Sequence, residues 1–158
     1  MKIVSLTFAL LFALMPLGAS AKDAPIGLSL KQLAHSSLET ISMPPAHSVN
    51  GHPRLSGISA DKMTIFEVIG DPGNVRQATL LIMISGDPAQ VGKRCHTLAQ
   101  FMQNASPGWA GSSNWLTRAT RQALSRPDQD VKVSHNSRKY SLYYSKQMSN
   151  LMLTVSHK

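Results

Sequence analysis

Acidic residues and cysteine are what this sequence holds least of. Eight Asp and Glu stand against 16 Lys and Arg in 158 residues, which sets a formal charge of +8 and an isoelectric point near 10. Charged residues total only 15 %, against about 25 % in an ordinary soluble domain. The basic balance therefore comes from missing acids rather than from abundant bases. The single cysteine, Cys95, excludes an internal disulfide framework and any cysteine-built zinc cluster. Apolar residues at 42 % exclude a disordered or collagen-like chain. The length suits one domain with a respectable core and leaves no room for two.

No apolar run reaches the roughly 20 residues that a membrane span needs. The longest, Ile3 to Met15, follows Lys2 and precedes Pro16, Gly18 and the small triplet Ala19-Ser20-Ala21. This order of a positive start, a short apolar stretch and a small-residue cleavage site predicts a bacterial-type signal peptide over residues 1–21. It predicts a periplasmic or secreted protein beginning at Lys22, with no transmembrane span after cleavage.

The charge is unevenly spread. Between Lys22 and Gly108, seven bases face six acids. From Trp109 onward, eight bases (Arg118, Arg121, Arg126, Lys132, Arg138, Lys139, Lys146 and Lys158) face only Asp128 and Asp130.

Residues 22–53 form a lead-in segment in this reading. Ser29 caps a short helix carrying Leu30, Leu33, Ala34, Leu38 and Ile41 at near-helical spacing. Pro44, Pro45, Gly51 and Pro53 make Met43–Pro53 a loop. Residues 54–158 then form a single α+β domain. Strands are predicted over Arg54–Ser59, Met63–Ile69 and Val75–Ser85, with a hairpin turn at Gly70–Asn74. Leu80 to Ile84 is apolar on both faces, as in a central, covered strand. Asp87-Pro88 opens a helix whose apolar stripe is Val91, Cys95, Leu98 and Met102. A second helix over about Ser113–Ser125 buries Trp115, Ala119 and Ala123. Alternating runs around Val131, Tyr140–Tyr144 and Leu151–Val155 give the last strands. The fold predicted is an antiparallel sheet of two three-stranded meanders, βββ-αα-βββ, with helices packed on one face.

Few residues carry a chemical signal. Cys95 and His96 are adjacent, so on a helix they point about 100° apart and make a poor nucleophile–base pair. Cys95 reads instead as a small buried hydrophobe. His47 and His52 lack a third metal ligand, and neither metal nor cofactor is expected. Six of the eight acids sit at turn or cap signals, where Asp serves local backbone bonding. Glu67 is the exception, inside a strand beside apolar neighbours.

Two functions follow as expectations. The first is an exported, non-enzymatic binding or envelope-assembly protein. Its ligand-binding surface is the cationic C-terminal sheet: Lys132, Arg138, Lys139 and Lys146, with Tyr143 as an aromatic contact. Such a surface attracts an anionic envelope component or an acidic protein by long-range electrostatics. Nucleic acid suits the charge and conflicts with the leader. The alternative is a small envelope hydrolase using Glu67 with a histidine such as His135.

Overall fold

The computed structural model describes residues 24–158, so the predicted signal peptide lies outside the described residues. Seven strands form one wholly antiparallel sheet. They are β1 (Pro45–Val49), β2 (His52–Ile58), β3 (Thr64–Asp71), β4 (Asn74–Met83), β5 (Asp130–His135), β6 (Arg138–Ser145) and β7 (Asn150–His157). The order across the sheet is β1-β2-β3-β4-β7-β6-β5. Helix α1 (Leu30–Leu33) precedes them, and α2 (Pro88–Ala105) and α3 (Ser112–Ser125) stand between β4 and β5.

This corrects the expected βββ-αα-βββ arrangement. Four strands precede the helix pair, and the two halves are not separate meanders. They are zipped together through β4 and β7, from Gln77 against Ser156 to Met83 against Asn150. The unforeseen strand is β1, in the stretch expected to be loop. Val49 and His52 flank a two-residue turn in which Asn50 (φ 50°) and Gly51 (φ 77°) both occupy the left-handed region. Asn-Gly is the preferred sequence for that hairpin turn. Pro45 is tolerated because it stands first in β1, an exposed edge strand, and Pro53 because it sits beside the turn, outside the paired registers of β2.

Residues 24–53 share the core of the sheet. The backbone of Ile26 donates to Val75 and Leu28 accepts from Val75, laying the segment against the start of β4. Ser29 and Gln32 form a reciprocal capping box on α1. Leu33, Leu38 and Ile41 then enter the main apolar cluster.

Strand pairing explains where that cluster sits. Phe66, Leu80, Leu153, Leu142 and Val131 lie in one cross-strand row over five strands. Val68, Ala78, Val155, Tyr140 and Val133 form the next row. Helices α2 and α3 cover this face with Leu98, Phe101, Met102, Trp115, Leu116 and Ala119. Phe101 meets Phe66 edge-on at 5.7 Å. Asp87 caps α2 by accepting from the Gln90 N–H, with Pro88 at the first position as expected.

The α2 stripe keeps Leu98 and Met102 as the spacing predicted and departs from it at Cys95. Arg94, Leu98, Phe101, Met102 and Ala105 are buried, whereas Cys95 is exposed. Arg94 is 6 % exposed and points back under the helix, donating to the Ser85 carbonyl at 3.0 Å and lying 3.8 Å from Asp61. An arginine can lie along a core because its long apolar stem packs while its head finds oxygens.

Candidate functional site

The second face of the sheet carries the alternate residues. Ile65, Ile69 and Leu81 are buried there on β3 and β4 together with Glu67, Gln77 and Thr79, so these two strands are buried on both sides, as Leu80–Ile84 implied for β4. The β7-β6-β5 wing of the same face is half-buried to exposed and hydroxyl-rich: Thr154 and Ser156, then Lys139, Ser141 and Tyr143, then Lys132 and Ser134. The charged side chains expected to bind a partner separate on this scaffold.

Lys132 stands opposite Ser141, and Lys139 and Tyr143 lie two residues to either side of Ser141. Diagonal neighbours of this kind are about 7–8 Å apart, so Lys132, Lys139 and Tyr143 form one cluster. Arg138 does not join it. Its guanidinium donates to the Ile26 carbonyl at 2.8 Å, fastening the N-terminal segment to β6. Lys146 sits beyond the far end of β6, seven residues from Lys139, or about 23 Å along the strand.

Carboxylates also thread the cluster. Asp130 takes the Lys132 ammonium at 3.1 Å and the Ser141 hydroxyl at 2.7 Å. Asp128 accepts from the Tyr143 hydroxyl at 3.2 Å. Partial burial, the bond to Asp128 and the charge of Asp130 all raise the Tyr143 phenol above its ordinary value. Lys139 is the one cation of this cluster with no carboxylate partner among the described residues.

Glu67 lies on the same face at 1 % exposure. Its partner is Arg54, whose Nε donates to Oε2 at 2.8 Å across the β2–β3 pair. Oε1 has no hydrogen-bond partner. Burial raises the carboxyl above the usual range, and Arg54 pulls it the other way. His135 is on the opposite face, in the run of Val131 and Val133, and its ring stacks on Trp109 at 4.8 Å and 9°. The sheet thus stands between Glu67 and His135, and the structure does not bring this acid–base pair together.

Trp109, Trp115, Tyr140 and His135 form an aromatic group where the α2–α3 connector meets the sheet. Tyr140 ties it down by donating to the Ala105 carbonyl at 3.0 Å. The burial of Trp115 was expected from the helix spacing; that a strand histidine completes the stack was not.

Among the described residues, no group of three His, Cys, Asp or Glu side chains could hold a metal ion. No described helix is long and apolar enough to cross a membrane. No known protein family, curated protein or solved structure matches the chain.

Proposed function

We propose that this is an exported, non-enzymatic binding protein of the bacterial envelope. It contacts an anionic partner through the β5–β7 wing of the sheet. The observation that supports this reading is the clustering of Lys132, Lys139 and Tyr143 on a face that neither α2 nor α3 covers. Hydroxyls of Ser141, Thr154 and Ser156 on the same wing add hydrogen-bonding groups beside the cations. Arg138 contributes by holding β6 to the N-terminal segment, and Lys146 lies outside the cluster.

The test is retention of purified protein on an immobilised polyanionic envelope polymer, eluted by salt. Lys132→Glu with Lys139→Glu should abolish retention at about 0.15 M ionic strength, where surface fields still reach about 8 Å. Lys146→Glu should shift elution little. Unchanged retention in the double variant overturns the assignment.

A further inference from the structure

From Pro88 to Pro127 the chain holds no acidic residue and five basic ones: Lys93, Arg94, Arg118, Arg121 and Arg126. That span is the helical layer, α2 and α3 with their connector. Arg94 is spent on Ser85 and Asp61. The others are exposed, and their side chains make no ion pair or hydrogen bond within the described residues.

On α3, Trp115, Leu116, Ala119 and Ala123 face the sheet. Arg118 and Arg121 lie on the outer side, three residues apart, so they are neighbours that repel one another by a small amount. Leu124 follows three residues later and is 44 % exposed, one of three exposed large apolar side chains among the described residues. Arg126, at the C-terminal cap, is favoured by the negative end of the helix dipole. This outer surface thus carries uncompensated arginines around an exposed leucine. A face needed only for solubility mixes both signs.

We infer that the helical layer is a docking surface for an anionic phospholipid bilayer, with Arg118, Arg121 and Arg126 on lipid phosphates and Leu124 among the outermost acyl carbons. Charge complementarity carries the choice of partner. The planar guanidinium fork matches phosphate oxygens, and an apolar residue amid the cations suits a lipid interface better than a soluble polyanion. The inner side of α3 is committed to the core, so the helix stays on the domain and contact is superficial. Docked this way, the protein turns the opposite wing of Lys132, Lys139 and Tyr143 away from the membrane, leaving it free for a second partner.

Each basic side chain near an anionic surface strengthens partitioning by about fivefold. Sedimentation with vesicles of phosphatidylglycerol and phosphatidylcholine, at about 0.1 M salt, therefore provides the test. Arg118→Ala with Arg121→Ala should weaken binding by about 25-fold. Leu124→Ser should weaken it at every salt concentration, and Lys132→Ala with Lys139→Ala should leave it unchanged. Of the five positions substituted, Arg118, Arg121, Leu124 and Lys132 are exposed and Lys139 is half-buried, and melting curves confirm that each variant folds. Equal binding by the arginine variant and the parent overturns the inference. So does binding to a soluble polyphosphate at the same strength with no dependence on Leu124. If the lysine variant alone loses the vesicles, the helical surface is excluded and the sheet wing gains the bilayer as its partner. Loss of polymer retention with intact vesicle binding would leave this docking surface standing.

Discussion

Gly57 of β2 lies directly under the carbonyl of Ser42: a Cβ built on it would stand 2.2 Å from that oxygen. It would also meet Ile41 Cγ2 at 2.6 Å and Met43 Sδ at 2.8 Å. Gly57 pairs with Phe66 in the row that faces the core, and the segment leaving α1 crosses the sheet at this one bare position. Gly57→Ala should therefore cost about 3 kcal/mol or more, since the obstacle is backbone rather than a flexible side-chain end. A drop of about 10 °C in Tm is expected. An unchanged melting temperature would show that the crossing segment is not held there.

The Arg54–Glu67 pair should behave as a unit. Removing one member strands a buried charge and costs about 3–5 kcal/mol. Arg54→Met alone should therefore be severely destabilising, and Arg54→Met with Glu67→Leu much less so. Double-mutant-cycle urea titrations measure the difference. Independent, additive costs would contradict the pairing.

Glu67 also leaves a signature in pH. Because burial raises its folded pKa, the native protein keeps this proton to higher pH than the unfolded chain does. Its contribution to stability is complete below the unfolded carboxylate value and is lost as pH rises through the raised folded value. Stability of the parent should decline across that window, and Glu67→Gln should remove that part of the decline. Urea midpoints at stepped pH decide it. A parallel curve for the variant would assign the titration to another group.

Tyr140 acts at the alkaline end. Burial raises its phenol, against the opposing influence of Arg138, so stability is present below the unfolded tyrosine value and falls as pH climbs towards the folded one. Tyr140→Phe should remove this loss, and at neutral pH it should cost about 1–3 kcal/mol for the Ala105 carbonyl left without its donor. Ultraviolet titration of the phenolate checks the first and thermal melts the second.

Cys95 should react with a maleimide in the folded protein, at one equivalent per chain and without denaturant, because it is exposed. The reaction should be slower than that of a small free thiol at the same pH. Partial burial pushes the thiol up, Arg94 only partly offsetting it, and the thiolate is the nucleophile. Labelling seen only in urea would restore the buried position that the sequence suggested.

That position shows where sequence reasoning reaches and where it stops. Periodicity located α2 and its cap, because Asp87-Pro88 acts through local bonds. It placed Leu98 and Met102 on the buried side and misplaced Cys95, since Arg94 reads as polar until Asp61 and the Ser85 carbonyl are seen beneath it. The strands from Thr64 to Met83 were legible from β-branched runs and a strong turn. Strand β1 was not, because its stabilising signal, Asn50-Gly51, lies among prolines that elsewhere break strands. Lys132, Lys139 and Tyr143 were legible as one face because alternation fixes side. Arg138 was not excluded, because its partner Ile26 is 112 positions away. Glu67 was recognisable as unusual, but its partner, Arg54, emerges only from cross-strand register.

The β4–β7 junction has a consequence for the order of assembly. Strands β1 to β4 are available early, yet the strand that completes the middle of the sheet is the last to be made. β3 and β4 can pair with each other, but β4 keeps a bare edge until residues 150–157 arrive, and pairing across so long an interval of chain is slow. In the meantime that edge is open to another copy of the chain. The sheet therefore cannot close around β4 until β7 has been made, after the other six strands.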